Sequence, residues 1–244
     1  RIFPSRFQSD ALHIPRMRTT MRISFSWRIS HFTGQRKRDE TDISSTIKIS
    51  KDLTISAVSS GDVILKGGSS GTVFNVSSGS TLTLNNINFK DYYVSGSNLK
   101  GLALYNNANG VLNINNCNFE NIKSGTNSYN YATIYSYGTL NIGGCTFKDL
   151  YAYYGYALCV YGGTASIKNS VFTNISTGYS VTSIYIYSSG TTASVENCTF
   201  KDMTAKCAAI QTGNSARLIL KDSTFKNLTN TGGSTFATGV YCYG

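Results

Sequence analysis

The residues of this chain that could cleave a polymer are its carboxylates. Beyond residue 42 the sequence holds eight acidic residues, one arginine and no histidine. Polysaccharide cleavage commonly uses a pair of carboxylates as general acid and general base. The candidates nearest to such a set are Asp202, Asp222 and Arg217, but no catalytic motif surrounds them. We therefore predict no catalytic residue, and these three side chains are the alternative if the chain is an enzyme.

Tyrosine is the second chemically informative residue, because it recurs after apolar residues in successive segments. The recurring positions are Tyr105, Tyr135, Tyr161, Tyr187 and Tyr241, with Gln211 in one segment. Alternate residues of a strand face opposite sides, so these rings are predicted to form a stripe on the solvent face of a sheet. Such a stripe either stabilises the sheet by aromatic pairs, each worth up to about 1 kcal/mol, or binds carbohydrate or protein. The five tyrosines are our candidate binding residues.

The six cysteines do not have the spacing of a metal site. The sequence contains no Cys-x-x-Cys pair, and both histidines lie within residues 1–42, where there is no cysteine. Structural zinc sites need such pairs at short spacing. No metal and no cofactor is therefore predicted.

The elements that must position these residues come from a repeat that occurs six times. Its copies are LTLNNINFKDY (82–92), LNINNCNFENI (112–122), LNIGGCTFKDL (140–150), ASIKNSVFTNI (165–175), ASVENCTFKDM (193–203) and LILKDSTFKNL (218–228). Their phenylalanines, Phe89, Phe119, Phe147, Phe172, Phe200 and Phe225, lie 30, 28, 25, 28 and 25 residues apart. Self-similar segments that recur every 25 to 30 residues are typical of a repeat architecture.

Each copy contains two short strands separated by a sharp corner. In the second copy Leu112 and Ile114 alternate with polar residues, and Cys117 and Phe119 do so again after Asn115-Asn116. Period two indicates strands, and asparagine and glycine tolerate the left-handed conformation that a corner needs. Another strand precedes each copy, such as GLALYN or ATIYSY. Coils of 25–30 residues with short strands predict an all-β, right-handed parallel β-helix of about seven coils, with the phenylalanines stacked inside.

The residue two places before each phenylalanine is predicted to form a second inward ladder. It reads Ile87, Cys117, Cys145, Ser170, Cys198 and Ser223. The spacing of Cys117 and Cys145, one coil apart, would allow a disulfide. Parallel stacking does not turn their side chains toward each other, so we predict buried free thiols.

The repeat resembles that of the right-handed parallel β-helix proteins of the pectate-lyase-like superfold. The resemblance rests on the apolar-x-apolar strand, the small corner and the Cys/Ser/Thr-x-Phe strand, and it covers about residues 46–244. Within that superfold it resembles especially adhesin-like surface proteins and polymorphic outer-membrane proteins. Those proteins favour Gly-Gly-Ala-Ile and Phe-x-x-Asn, where this chain has segments such as GLAL and Ile, Leu or Met in the fourth place. The resemblance implies a surface or secreted protein.

The first 42 residues differ sharply in composition from the rest. They hold both prolines, both histidines, the only tryptophan and eight of the nine arginines, and their net charge of +5 is half of the +10 of the chain. Their Arg- and Ser-rich composition resembles a transit segment, and their charge could bind phosphates, although without ordered aromatic residues. We predict a poorly ordered extension over residues 1–42 and a β-helix domain over residues 43–244.

Together these features predict a non-catalytic, adhesin-like stalk or binding surface located outside the cell or at its surface. Carbohydrate or the surface of a host or neighbouring cell is the expected partner, and nucleic acid is not expected. No run of eighteen apolar residues occurs, so no transmembrane segment is predicted. The final TGVYCYG starts a seventh copy and stops at Gly244, from which we expect a C-terminally truncated part of a longer protein. The alternative is a polysaccharide lyase or glycoside hydrolase on the same fold.

Overall fold

A computed structural model describes eight stretches of the chain. They are residues 39–57, 63–67, 72–94, 100–125, 131–152, 155–178, 183–232 and 238–243. The chain divides into two units, 1–36 and 37–244, and every described residue belongs to the second. The predicted extension therefore lies outside the described residues up to position 38, and its last four residues, 39–42, belong to the first strand of the fold.

The described residues form 23 strands in three parallel sheets, numbered here in chain order. Sheet A contains β1 (Asp39–Ile43), β4 (Val63–Gly67), β7 (Ile87–Val94), β10 (Asn118–Ser124), β13 (Thr146–Ala152), β16 (Val171–Thr177), β19 (Thr199–Ala205) and β22 (Thr224–Asn230). Sheet B contains β2 (Ile47–Ile49), β5 (Phe74–Val76), β8 (Gly101–Asn106), β11 (Tyr131–Ser136), β14 (Gly155–Val160), β17 (Ile184–Ile186), β20 (Ile210–Thr212) and β23 (Val240–Cys242). Sheet C contains β3 (Leu53–Ser56), β6 (Thr81–Asn85), β9 (Val111–Asn115), β12 (Thr139–Gly143), β15 (Thr164–Lys168), β18 (Thr192–Glu196) and β21 (Arg217–Lys221).

The order of the strands shows how the chain winds. Each sheet takes every third strand, and each strand pairs in parallel with its counterpart one coil later. Sheet C is fully in register, so that Leu112 pairs with Leu140 and Leu140 with Ala165. The predicted all-β, right-handed parallel β-helix is confirmed.

The corner between sheet C and sheet A is where the sequence pattern fixes the backbone most clearly. The second residue of each corner has a positive φ: Asn86 (61°), Asn116 (53°), Gly144 (64°), Asn169 (51°), Asn197 (51°) and Asp222 (47°). This is the left-handed region, which glycine, asparagine and aspartate enter at the lowest cost. The predicted role of the corner residues is thereby confirmed.

The phenylalanines form the spine of the core, as the repeat predicts. Consecutive rings from Phe89 to Phe225 are stacked, with centroids 4.7 to 5.0 Å apart and planes within 10° of parallel. Phe89 and the next four rings of the ladder are fully buried. The leucine, isoleucine and valine side chains of sheets B and C pack against them in one continuous core. The outer faces of the sheets are therefore free to carry other chemistry.

Candidate binding surface

A cluster of tyrosines covers the outer face of sheet B and is separate from the core of the coil. We define the tyrosine cluster as Tyr105, Tyr135, Tyr137, Tyr156, Tyr161, Tyr185 and Tyr187, which pack together with Ala132 and Cys159. The strands β8, β11, β14 and β17 supply its central residues, and the turns that follow β11, β14 and β17 supply the others. The residues come together because the solenoid stacks equivalent positions about 4.8 Å apart.

The structure divides the five predicted binding residues between two parallel rows. One row lies within the strands and runs Tyr105, Tyr135, Cys159, Tyr185, Gln211 and Tyr241. The other row lies just after the strands and includes Tyr137, Tyr161, Tyr187 and Tyr243, whose N–H groups donate to the carbonyls of the preceding coil. By backbone register, Tyr161 and Tyr187 therefore belong to the row of Tyr137 and not to that of Tyr135. The predicted single stripe is in fact a surface two residues wide.

Burial differs between the members of the cluster. Tyr135 is only 1% exposed and Tyr185 only 9%, whereas Tyr105, Tyr137, Tyr161 and Tyr187 are partly exposed. Burial is the largest cause of the raised pKa of Tyr135 and of Tyr185, so both phenols stay neutral at ordinary pH. The fully buried thiol of Cys159 lies in the same row, between Tyr135 and Tyr185. The cluster thus has a buried bed and an accessible upper layer.

The rings contact each other closely across the two rows. Tyr135 lies 5.3 Å from Tyr137 and 6.0 Å from Tyr161, measured between ring centroids. Tyr161 lies 5.1 Å from Tyr187, which in turn lies 5.4 Å from Tyr185. These distances fall in the range of favourable aromatic pairs, each worth about 0.5–1.5 kcal/mol beyond the burial of its surface. Packing therefore holds the upper layer in a fixed arrangement.

Lys100 closes one edge of the cluster. Its ammonium group donates a hydrogen bond of 2.7 Å to the Tyr137 hydroxyl and lies over the rings of Tyr135 and Tyr137, 5.7 and 5.1 Å from their centroids. An ammonium over an aromatic face is attracted by the negative face of the ring. The hydrogen bond with Tyr137 is the largest cause of the raised pKa of Lys100. The sequence pattern did not identify Lys100, which is exposed, as a candidate residue, because it lies just before strand β8 and a lysine recurs at this position in no other coil.

The opposite edge of the cluster is reached through a hydrogen bond between two phenols. The hydroxyls of Tyr185 and Tyr243 lie 2.8 Å apart. Tyr243 is 42% exposed, and its ring lies 5.8 Å from that of Tyr241. The aromatic surface therefore continues beyond Gln211, although the row within the strands is interrupted there. Sequence reasoning missed Tyr243 because the predicted stripe took one residue from each segment, which was Tyr241 in the last segment.

Charge is distributed unevenly over the three sheets. The strands of sheet B contain no aspartate or glutamate, and Lys48 is their only charged residue. The ion pairs of the described residues lie elsewhere: Glu120 of sheet A is bridged by Lys90 and Lys148, and Lys168 pairs with Glu196 on sheet C. The tyrosine cluster therefore lies on the sheet with the fewest charges, which favours contacts through apolar surface and hydroxyl groups.

The three residues named for a catalytic alternative are not brought together. Asp222 follows β21 at the corner equivalent to Asn197, and Arg217 begins the same strand. Asp222 lies five positions after Arg217, and Asp202 lies five positions after Asn197, the corner residue equivalent to Asp222. Asp222 is therefore about 16 Å along the strand direction from each of the other two. Paired carboxylates of glycosidases lie no more than about 9.5 Å apart. The geometry therefore does not favour a catalytic set of Asp202, Asp222 and Arg217.

Asp202 belongs instead to a ladder of alternating carboxylates and amides on sheet A. The ladder occupies the second position after each phenylalanine and consists of Asp91, Asn121, Asp149, Asn174, Asp202 and Asn227, all with φ between 50° and 59°. Each asparagine donates to the aspartate one coil earlier, at 2.6 Å from Asn121 and from Asn174 and at 2.9 Å from Asn227. The three aspartates of the ladder lie inside strands of sheet A, in β7, β13 and β19. In the sequence, this ladder is indicated by the strict alternation of Asp and Asn at the second position after each phenylalanine.

The second inward ladder bonds adjacent coils at the corner. The Cys117 sulfur accepts from the N–H of Ile87 at 3.4 Å, and the N–H of Cys145 donates to the Ser170 hydroxyl at 3.1 Å. All six cysteines are free, as expected for Cys117 and Cys145, and only Cys242 is exposed. Burial raises the pKa of Cys117 to about 11 and that of Cys145 to about 12. Within the described residues no group of His, Cys, Asp or Glu is arranged to hold a metal ion.

Comparison with known proteins was made at three levels, of families, curated proteins and solved structures. No protein-family model matches the chain, and neither a curated protein nor a solved structure is significantly similar to it. In the part of the chain that the structure describes, no helix is long and apolar enough to cross a membrane. The β-helix fold is therefore established by the structure itself, and the function must be argued from its surfaces.

Proposed function

We propose that the domain is a non-catalytic β-helix of a surface or secreted protein, acting as an adhesin-like stalk whose tyrosine cluster binds carbohydrate. The observation that carries this proposal is the contiguous aromatic surface on sheet B, in which Tyr105, Tyr137, Tyr161 and Tyr187 are partly exposed above a buried bed. Exposed aromatic patches on a soluble domain commonly mark binding sites.

The chemistry of the surface fits a sugar polymer. A pyranose ring presents C–H groups on its faces and hydroxyls around its rim, and a half-buried tyrosine presents an apolar ring with a polar tip. Successive rings along the solenoid would contact successive sugar units, so several weak contacts would add through their effective concentration. The packing of the rings against each other reduces the entropy lost when a ligand binds.

The remainder of the domain supports the role of a stalk. The stack of phenylalanines and the parallel ladders form one continuous core, and the outward Asp/Asn ladder joins pairs of neighbouring coils on sheet A. Seven coil steps at about 4.8 Å each give a rod about 34 Å long. A stiff rod with its binding surface along one side suits display at the outside of a cell, where the partner would be a polysaccharide or the surface of a host or neighbouring cell.

The test is retention of polysaccharide by the full chain, with the chain length of the polymer followed in the same samples. We would compare a panel of neutral and acidic polymers against the wild type and against a variant with Tyr105, Tyr161 and Tyr187 replaced by serine. At about 1 kcal/mol for each lost ring contact, retention of the binding polymer should weaken by roughly 100-fold. Tyr161→Phe, which keeps the ring, should bind within about threefold of the wild type.

Controls separate binding from folding and from cleavage. Tyr93→Ser removes an exposed tyrosine from sheet A, outside the cluster, and should leave retention unchanged. Circular dichroism of each variant verifies the β-helix. Failure of every polymer to bind, or equal retention by the triple serine variant, would refute the proposal. Shortening of any polymer would support the alternative of a lyase or hydrolase.

A further inference from the structure

We propose that the tyrosine cluster is specific for anionic glycans, and that Lys100 binds the carboxylate or sulfate group of the sugar. This inference rests on the proposed function, because it names the class of carbohydrate that the cluster takes. It comes from a positive charge that is held in place at the edge of the exposed rings, on a sheet whose strands contain no acidic residue.

Lys100 differs from an ordinary surface lysine in its fixed position. Its ammonium group is held by the hydrogen bond of 2.7 Å to the Tyr137 hydroxyl and by the rings of Tyr135 and Tyr137, whose centroids lie 5.7 and 5.1 Å away. A lysine that binds a ligand normally loses much of its rotamer freedom. Here the contacts with the cluster have already restricted the side chain, so a ligand meets a preorganised charge.

The pair of Lys100 and Tyr137 has donors left for an anion. An ammonium group has three N–H donors and no acceptor, and Lys100, which is exposed, uses one of them on Tyr137. The Tyr137 oxygen accepts that bond, so its own O–H can donate to another acceptor. A carboxylate or a sulfate has at least two oxygens that accept hydrogen bonds, and hydrogen bonds to charged groups are the strong ones.

The distribution of acidic residues leaves this charge uncompensated. Among the described residues, the acidic ones lie in strands of sheets A and C and at the corner between them, except for Asp52 in the turn before β3. The Asp52 carboxylate accepts the N–H of Thr81 at 2.8 Å. Residues 95–99 and 126–130, which precede β8 and β11 in the sequence, contain no aspartate or glutamate either. Charge complementarity at the rings therefore favours an anionic ligand.

A second lysine lies along the same face of sheet B. The row within the strands continues from Tyr105 through Asn75 to Lys48, which is exposed. Lys48 is two coil steps, about 10 Å, from Tyr105. A polymer that lies along the solenoid and carries an anionic group on repeated units would reach both lysines, and their two contacts would add to those of the rings. A neutral polymer would gain only the contacts with the rings.

The experiment measures the affinity of the full chain for two pairs of polymers that differ in charge alone. Chondroitin is compared with its carboxyl-reduced form, and dextran sulfate is compared with dextran. Tighter binding of the acidic member identifies a carboxylate in the first pair and a sulfate in the second. We expect a preference of about tenfold or more in at least one pair at low salt, and added sodium chloride should reduce it because salt screens exposed charges. The absence of a preference in both pairs would overturn the inference.

Substitution of Lys100 tests whether this residue causes the preference. Lys100→Gln should weaken binding of the acidic polymer by roughly tenfold, as expected for a lost hydrogen bond to a charged group, and should change binding of the neutral polymer by less than about twofold. Lys100→Arg keeps the charge and should keep the preference. Lys123→Gln removes the same charge from an exposed position on sheet A and is the matched control. A preference that persists in Lys100→Gln, or an equal loss in Lys123→Gln, would contradict the assignment.

The inference and the proposed function fail in different ways. If only neutral polymers bind, and the triple serine variant loses them, the inference is overturned and the proposed function stands. If the triple serine variant binds an acidic polymer as tightly as the wild type, the rings do not contribute and both are overturned. Both also fall if no polymer binds. Circular dichroism of each variant verifies that the β-helix is intact.

Discussion

Removal of one phenylalanine from the stack gives the sharpest test of how the solenoid is held together. Phe119 is fully buried, and its ring lies 4.8 Å from Phe89 and 4.9 Å from Phe147, almost parallel to both. Phe119→Ala would leave a cavity between two rings that the strands of adjacent coils hold in place. Because β10 pairs with both β7 and β13, the backbone cannot move in to fill it.

The expected loss of stability is about 4 kcal/mol, in the middle of the range for phenylalanine to alanine in a rigid core. With a urea m-value of about 2 kcal/mol/M, this lowers the unfolding midpoint by about 2 M. The assay is equilibrium unfolding in urea, followed by circular dichroism. Lys123 is exposed on the same strand, so Lys123→Ala is the matched control and should change stability by less than about 0.5 kcal/mol.

Two results would refute this reasoning. A loss below about 1.5 kcal/mol for Phe119→Ala would mean that the coils can close over the cavity, contrary to the fixed spacing of parallel strands. An equal loss for Lys123→Ala, or a comparable loss for Asn118→Ala, would mean that the inward and outward faces of β10 are assigned wrongly.

Three further predictions concern the corners and the thiols. Asn116→Ala, at a corner with φ of 53°, should cost about 1 kcal/mol in urea unfolding because alanine resists the left-handed region, whereas Asn116→Gly should stay within a few tenths. Iodoacetamide at pH 8 should label Cys242 alone in the folded chain and all six cysteines after denaturation, since the other five are buried; rapid labelling of a second cysteine would contradict this. The free energy of unfolding should fall as the pH rises above about 9. Burial raises the pKa of Cys117 to about 11 and that of Cys145 to about 12 in the folded chain. The unfolded chain therefore releases these protons at lower pH than the folded chain, and each release favours unfolding. Cys145→Ser should flatten that dependence of the unfolding midpoint on pH, and an unchanged slope would refute its cause.

The core was predictable from the sequence because it depends on features that repeat in every coil. Phe119 and its equivalents recur with a corner of constant length before them. Aligning the copies on their phenylalanines therefore predicts the position of both the sheet C strand and the sheet A strand in every coil. The corner residues follow from local backbone chemistry, since few residue types tolerate positive φ. These elements required no knowledge of tertiary contacts.

The tyrosine cluster was predictable in composition but not in register. The turn between sheets B and C contains two residues after β11, three after β14 and five after β17. An alignment anchored on the phenylalanines therefore cannot say which tyrosine of one coil stacks on which tyrosine of the next. The pairing is set by backbone hydrogen bonds, such as that from the Tyr161 N–H to the Ser136 carbonyl. Lys100 and Tyr243 depend on these tertiary contacts and carry no repeated signal.

The three outer faces of the solenoid differ in how their side chains are satisfied, and this difference is the argument for assigning function to sheet B. On sheet A the asparagines of the ladder donate to aspartates, as Asn121 does to Asp91, and on sheet C Asn141 donates to Asn113 at 2.9 Å. Such ladders of short polar side chains suffice to cover a β-helix. Sheet B instead places large rings above a bed that includes Tyr135, at 1% exposure, and adds Lys100 across them. Each of those ring contacts also adds stability, so retention of polysaccharide by the triple serine variant, and not the packing of the rings, decides whether the cluster binds a partner.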